Sequence, residues 1–97
     1  MGINRLHRND ANHKDIVKAL QGIGATVQTL SQVGNGCADL LIGFRGFNLL
    51  LEVKDGSKSK GQRELTPAQF NWHRSWRGQI AIVNSIDDAL KVVTSYR

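Results

Sequence analysis

A pair of short apolar runs with a turn between them restricts the fold of this chain more than any other part of its sequence. Residues 39–44 and 48–54 are rich in leucine, with isoleucine, valine or phenylalanine, and only Arg45-Gly46-Phe47 separates them. Two such runs joined by a glycine-containing loop predict a β-hairpin. A turn centred on the first two of these loop residues places Asp39 directly opposite Glu52.

Helical and strand patterns alternate along the rest of the chain. Ile16, Val17 and Leu20 recur at the spacing of one helix face. Thr66 followed by Pro67 is typical of a helix N-terminus. The predicted elements are a helix over 11–21, a strand over 25–30, the two hairpin strands, a polar loop over 55–64, a helix from Thr66-Pro67 to about Arg77, a strand over 79–84 and a helix capped by Ser85. This order, α-β-β-β-α-β-α, predicts an α/β fold with a central mixed β-sheet flanked by helices.

Composition bounds the class of protein. A chain of 97 residues without repeats or a Pro-rich linker is expected to form one domain over residues 1–97. It has no apolar stretch near the ~20 residues of a membrane span, and its N-terminus is polar, so neither a membrane protein nor a secreted one is expected. Its single cysteine, Cys37, cannot form an internal disulfide, which fits a reducing cytoplasm. A net charge of +5 is compatible with a nucleic acid partner but does not establish one.

Three charged side chains converge at one end of the predicted hairpin. Asp39 and Glu52 face each other on one side of the sheet, with Cβ atoms roughly 4.5–5.5 Å apart. Lys54 lies two residues beyond Glu52 and projects to the same side, whereas Leu51 and Val53 face the core. Two facing carboxylates weaken a sheet unless a cation such as Mg²⁺ binds between them. Two acids and a lysine beside a basic loop suit metal-assisted hydrolysis of a phosphodiester bond.

Each of these residues also has an ordinary structural interpretation. Glu52 and Lys54 could form a solvated ion pair in a strand, and Asp39 could be a turn residue. The register is an assumption as well, because a shift of one residue would place Asp39 and Glu52 on opposite faces of the sheet. The pattern alone leaves both interpretations open.

Three segments together carry a resemblance to a known family. They are residues 34–41 (GNGCADLL), residues 50–54 (LLEVK) and residues 65–69 (LTPAQ), the last followed by Trp72. In combination they resemble the PD-(D/E)XK nuclease superfamily and, within it, the VRR-NUC family in its minimal stand-alone phage or prophage form. The resemblance extends from the first helix to the last strand and implies a restriction-endonuclease-like core. Ala38 stands where the superfamily motif has its proline.

The resemblance implies a role for each residue of the hairpin motif. Asp39 and Glu52 would bind Mg²⁺ or Mn²⁺, with the main-chain carbonyl of Val53 as a third protein ligand. Lys54 would orient or deprotonate the attacking water and stabilise negative charge on the phosphate. These roles combine a metal ion with a fixed positive charge at the reacting group.

Two helix residues extend the resemblance. Gln69 matches the glutamine that supports the active-site lysine and water in the family, but it also lies three residues after Thr66, which is the spacing of a capping box. The family often has an acid on its first helix, and Asp10 shares a helical stripe with His13 there. Asp10 is therefore expected either as a further metal ligand or as a simple helix cap.

Basic residues next to the motif are the candidate DNA contacts. Lys58, Lys60 and Arg63 follow the hairpin closely, and Arg45 lies at its tip. Such residues would contact the phosphates of DNA, although a run of this kind is also typical of a solvated surface loop.

The resemblance also implies a substrate and an assembly. It indicates a metal-dependent endonuclease that selects DNA by structure, cuts branched DNA such as Holliday junctions, and acts as a homodimer with two symmetric sites. Trp72 and Trp76, four residues apart, are more typical of a core than of a surface for base stacking, and one of them could lie in a subunit interface. The alternative function is a non-catalytic basic nucleic-acid-binding module, in which Glu52 and Lys54 form only an ion pair.

Overall fold

The described part of the chain contains seven elements in the predicted order. The computed structural model describes residues 2–55 and 64–96, and for residues 2–11 the backbone only. The elements are α1 (Gly2–Gly22), β1 (Thr26–Thr29), β2 (Leu40–Phe44), β3 (Phe47–Val53), α2 (Pro67–Ser75), β4 (Ile80–Val83) and α3 (Ile86–Ser95). The α/β class and the order α-β-β-β-α-β-α are confirmed. None of the helices in these described residues has both the length and the apolar character that crossing a membrane requires.

The four strands form one mixed sheet in the order β1-β2-β3-β4. β2 is antiparallel to both of its neighbours, whereas β3 and β4 are parallel. Parallel pairing of consecutive strands requires a crossover connection, and α2 lies in the segment that joins β3 to β4.

The β2–β3 hairpin has the predicted register. Leu40 pairs with Leu51 at the open end, and the two-residue turn consists of Arg45 and Gly46. Both turn residues have positive φ, 52° for Arg45 and 83° for Gly46, as a type I′ turn requires. This conformation is easy for glycine and uncommon for arginine, so the strand pairing holds Arg45 in it.

One face of the sheet packs against α1 and α3 and forms the core. Leu40, Ile42 and Leu51 are at most 1% exposed and form one cluster with Ile16 and Leu20 of α1. The remaining fully buried members come from β4 and α3: Val83, Ala89 and Val93. The helix face predicted for α1 and the inward direction of Leu51 are both confirmed.

α2 lies over the opposite face of the sheet. Glu52, which follows Leu51 in β3, points to this side and contacts Gln69 of α2. No residue of α2 is buried. The expectation that Trp72 and Trp76 belong to the core is therefore wrong, because a nine-residue helix covers only part of a sheet face and the two indoles stack on each other instead.

Two helices differ in length from the prediction. α1 begins at Gly2 rather than at residue 11, because a helix that has nucleated gains one hydrogen bond for each added residue and needs no apolar stripe to extend. α2 ends at Ser75, before the predicted Arg77, and Trp76 follows it in an extended conformation.

Candidate active site

The open end of the hairpin brings two carboxyl groups together. Asp39 lies one residue before β2 and, by the hairpin register, opposite Glu52. The main-chain carbonyl of Asp39 accepts a 2.7 Å hydrogen bond from the Leu30 N–H. The side-chain Oδ2 of Asp39 accepts a 2.8 Å hydrogen bond from the Val53 N–H. Asp39 and Glu52 are therefore adjacent, as the turn position predicted, and the main chain of Val53 lies beside them.

Glu52 is the buried acid of this pair. It is 1% exposed, and burial is the largest cause that raises its pKa from 4.5 to about 8. The Asp39 carboxyl raises this pKa further, whereas the positive charge of Lys54 lowers it. Without a bound metal ion, Glu52 therefore keeps its proton at neutral pH. The interpretation of Glu52 as half of a solvated ion pair does not describe this geometry.

Gln69 connects the buried acid, the lysine and the start of α2. Its Oε1 accepts hydrogen bonds from Lys54 Nζ (2.7 Å) and from the Thr66 N–H (2.9 Å), and its Nε2 donates to Glu52 Oε2 (3.2 Å). The Gln69 N–H in turn donates to the Thr66 hydroxyl at 3.2 Å, which completes a capping box. The capping box is therefore confirmed, and the same side chain contacts both Glu52 and Lys54.

His73 contacts the other carboxyl oxygen of Glu52. Its Nε2 lies 3.3 Å from Glu52 Oε1, so Gln69 and His73, one helical turn apart, hold both oxygens. Burial is the main cause that lowers the pKa of His73, and Lys54 lowers it further while Asp39 raises it. The lowered pKa of His73 and the raised pKa of Glu52 both favour uncharged forms. At neutral pH their contact is a hydrogen bond rather than an ion pair.

Gly36 allows α2 to approach the loop that precedes Asp39. Its φ is +84°, and a Cβ atom at this position would collide with the main-chain carbonyl of Ala68 in the first turn of α2. Both the conformation and the contact require glycine. The loop therefore sets the position of Gln69, the residue after Ala68.

α1 reaches the site through Asn12. The side-chain amide of Asn12 donates a 3.4 Å hydrogen bond to the main-chain carbonyl of Lys54, just beyond the end of β3. Asp10 lies within α1, which begins at Gly2, so the alternative that Asp10 caps this helix is wrong. The side chain of Asp10 lies outside the described residues.

The predicted DNA contacts lie away from the site or outside the described residues. Arg45 is at the closed end of the hairpin, with its guanidinium 4.8 Å from the centre of the Phe44 ring. The five residues of β2 lie between it and Asp39, which corresponds to roughly 20 Å along the strand. Lys58, Lys60 and Arg63 fall outside the described residues.

Two residues at the site were not predicted. His73 had a signal in the sequence, because it lies four residues after Gln69 and so on the same helix face. Asn12 had none, because its contact depends on where α1 passes the end of β3.

Comparison with known proteins identifies the fold that carries this arrangement. The chain matches a solved structure described as a VRR_NUC domain, with a TM-score of 0.70 and 25% sequence identity, over 92% of this chain and 97% of that chain. The chain has a VRR-NUC fold. The resemblance found in the sequence is therefore confirmed over nearly its whole length. No family model matches the sequence, and no curated protein matches it.

The VRR-NUC fold accommodates the one departure from the superfamily motif. Ala38, where the motif has proline, is fully buried directly before Asp39. With alanine before it, Asp39 still accepts hydrogen bonds from the N–H groups of Leu30 and Val53. These bonds hold Asp39 in place without a proline ring at the preceding position.

Proposed function

We propose that this VRR-NUC domain is a metal-dependent endonuclease that hydrolyses phosphodiester bonds in DNA. The observation that carries the proposal is the buried carboxyl of Glu52 beside Asp39, at an edge that also holds Lys54. Burying a carboxyl beside a second acid disfavours folding, and such arrangements are typical of functional sites. The match to a structure described as a VRR_NUC domain supports the same function.

The carboxylates of Asp39 and Glu52 suit a hard divalent cation, Mg²⁺ or Mn²⁺. The main-chain carbonyl of Val53 is the proposed third ligand, because Asp39 is already hydrogen-bonded to the N–H of that residue. Within the described residues, no group of three or more His, Cys, Asp and Glu side chains could hold a metal. Water and phosphate oxygens would complete the coordination, as is usual for Mg²⁺. The bound ion would polarise the phosphate and lower the pKa of a bound water.

Lys54 is the proposed partner of the attacking water and the phosphate. Its Nζ is held 2.7 Å from Gln69 Oε1, and this bond uses only one of the ammonium donors. An ammonium group fixed in advance stabilises the negative charge that develops on the phosphate without having to reorganise. The hydrogen bond from Asn12 to the Lys54 carbonyl holds the backbone from which this side chain projects.

Branched DNA such as a Holliday junction is the proposed substrate, and a homodimer is the proposed active form. The net charge of +5 supports binding to a phosphate backbone. Lys58, Lys60, Arg63 and Arg45 are the proposed phosphate contacts. Two symmetric cuts need two sites, which a dimer of this small domain supplies.

The proposal is tested by incubating the protein with matched linear, flapped and four-way DNA in Mg²⁺, in Mn²⁺ or in EDTA. We expect cutting with either ion, none in EDTA, and faster cutting of the branched DNA molecules. If no DNA is cut with any ion, the nuclease proposal is wrong and the non-catalytic binding module is favoured.

Site variants and a distant variant separate catalysis from binding. Glu52→Gln and Lys54→Ala should each lower the cleavage rate by about 100-fold or more. DNA affinity, measured in EDTA, should change little in both. Lys91→Ala removes an exposed lysine from α3, on the other side of the sheet, and should cut at the wild-type rate. A parallel loss of affinity and cleavage in Lys54→Ala would instead indicate that this lysine only binds phosphate.

A further inference from the structure

A row of aromatic rings runs from the buried carboxyl to the surface of α2. His73 contacts Glu52, and the centre of its ring lies 6.0 Å from that of Trp72. The ring of Trp72 lies 4.9 Å from that of Trp76, and the two indoles are stacked with an interplanar angle of 11°. The row therefore connects the candidate active site to the outer indole.

Trp76, at the outer end of the row, is 44% exposed. Burial of an indole is strongly favourable, so a stacked pair left at the surface is an unusual use of two large side chains. Gly78 leaves room for the outer indole, because a Cβ atom there would lie only 2.9 Å from Trp76 Nε1. Local sequence therefore accommodates this exposed position.

The sequence around the outer indole is basic. Arg74 and Arg77 lie on either side of Trp76 in the chain, and both side chains are exposed. Exposed aromatic rings beside basic side chains are the combination with which proteins bind unpaired nucleotides, because the ring stacks on a base while the cation attracts the backbone. Arg77, next to Trp76 in the chain, adds a positive charge that complements nucleic acid, whereas the Arg74 guanidinium lies 5.8 Å from the centre of the Phe70 ring.

We propose that Trp76, supported by Trp72, stacks on an unpaired base of the DNA substrate. This inference rests on the proposed function and adds a base contact to the proposed recognition of DNA. Inside a duplex both faces of a paired base are already stacked, so the indole would stack on a base that is unpaired.

The row of rings places the proposed stacking surface beside the candidate active site, because His73 at its inner end contacts Glu52. The unpaired base is therefore expected close to the bond that is cut.

Tryptophan fluorescence provides a direct measurement. The chain contains two tryptophans, Trp72 and Trp76, so this fluorescence reports on the stacked pair alone. A single-stranded thymidine oligonucleotide of about ten residues, titrated in EDTA, should quench it. A fully paired duplex should quench it much less at the same fraction of protein bound.

Three variants test the role of the outer indole by the anisotropy of labelled DNA. Trp76→Ala should weaken single-strand affinity by about 5- to 150-fold and duplex affinity by less than about twofold. Ile86→Ala removes an exposed apolar side chain, 38% exposed, from the first turn of α3 on the other side of the sheet, and should change neither affinity. Gly78→Ala keeps both indoles but displaces Trp76, and should weaken single-strand affinity selectively.

Unchanged single-strand affinity in Trp76→Ala would overturn the inference, and so would equal losses for single strand and duplex. A fall in solution mass in Trp76→Ala would also overturn it, because the surface would then contact a second copy of the chain. These measurements in EDTA do not depend on cutting. A protein that cuts no DNA with any ion, yet loses single-strand affinity selectively in Trp76→Ala, would contradict the proposed nuclease and retain the stacking surface.

Discussion

At the level of single residues, Gln69 takes part both in the N-terminal cap of α2 and in the candidate active site. A capping box accepts glutamine or glutamate at this position. Here the side-chain Nε2 also donates to Glu52, which a carboxylate cannot do, while Oε1 accepts from Lys54. The capping box therefore allows glutamate or glutamine at position 69, and the neighbouring Glu52 favours glutamine because its amide can donate a hydrogen bond.

Gln69→Glu and Thr66→Ala should separate these two roles. Gln69→Glu keeps the acceptor for the Thr66 N–H but loses the donor to Glu52, so we expect near-wild-type stability and cleavage slower by about 10- to 100-fold. Thr66→Ala removes the hydroxyl cap and should lower the free energy of unfolding by about 1 kcal/mol with little effect on cleavage. Denaturant unfolding and a cleavage assay check both. Equal effects of the two variants on cleavage would contradict a separate site role for Gln69.

Glu52 predicts how the stability of the metal-free protein depends on pH. Its pKa is about 8 when folded and 4.5 ordinarily, so between these values the folded state holds a proton that the unfolded state releases. The free energy of unfolding therefore falls as pH rises. His73, whose pKa is lowered from 6.5, acts in the opposite direction only below that value. The effect of Glu52 is thus isolated between pH 6.5 and pH 8.

Denaturant midpoints in EDTA measure this effect across that window. We expect the wild-type midpoint to fall with rising pH, and the Glu52→Gln midpoint to stay level because the amide does not titrate. A wild-type midpoint as level as that of Glu52→Gln would contradict a protonated, buried Glu52.

At the scale of elements, the hairpin and α2 meet at the glycine loop before β2. Gly34 and Gly36 both have positive φ, 77° and 84°, but only a Cβ atom at Gly36 would collide with Ala68. The positive φ at both glycines shapes the loop, whereas the close approach of Gly36 to Ala68 positions the first turn of α2 on the sheet.

Gly36→Ala and Gly34→Ala form a matched pair that separates conformation from contact. Each should lose about 1–2 kcal/mol of stability, because an L-residue is placed at positive φ. Only Gly36→Ala should also displace Ala68 and Gln69, and a displacement near 1 Å can slow a reaction by about 100-fold. Thermal unfolding and cleavage rates check the pair. Wild-type cleavage by Gly36→Ala would show that this contact does not position α2.

At the scale of the whole molecule, the small core limits what one copy can bury. Chains of this size bury only about two-thirds of their unfolded surface. Leu41 and Ile82 lie on the α2 side of the sheet and remain 37% and 43% exposed. An interface between two copies would cover such side chains and bring two sites together.

The proposed homodimer predicts a solution mass of twice 10.7 kDa. Light scattering across a range of protein concentrations measures this mass. A monomer at every concentration would contradict the homodimer. It would not bear on the metal dependence of cleavage, which the cleavage assay tests separately.

Features that depend on neighbouring residues could be predicted from the sequence alone. The two-residue turn and the alternation of strand side chains set the hairpin register, and the register sets Asp39 opposite Glu52. The Thr66–Gln69 cap is equally local, because its partners are three residues apart. The order of the elements follows from the same short-range patterns, and all of these predictions are confirmed.

The contacts that enclose the site follow from tertiary packing and could not be predicted from the sequence. The burial of Glu52, its contact with His73 and the bond from Asn12 to Lys54 depend on where α1 and α2 lie against the sheet. These two contacts join residues 21 and 42 positions apart in the chain. No local period specifies such pairs, because they result from the packing of whole elements. For the same reason the sequence predicted Trp76 to lie in a core, whereas packing of the short α2 left it exposed.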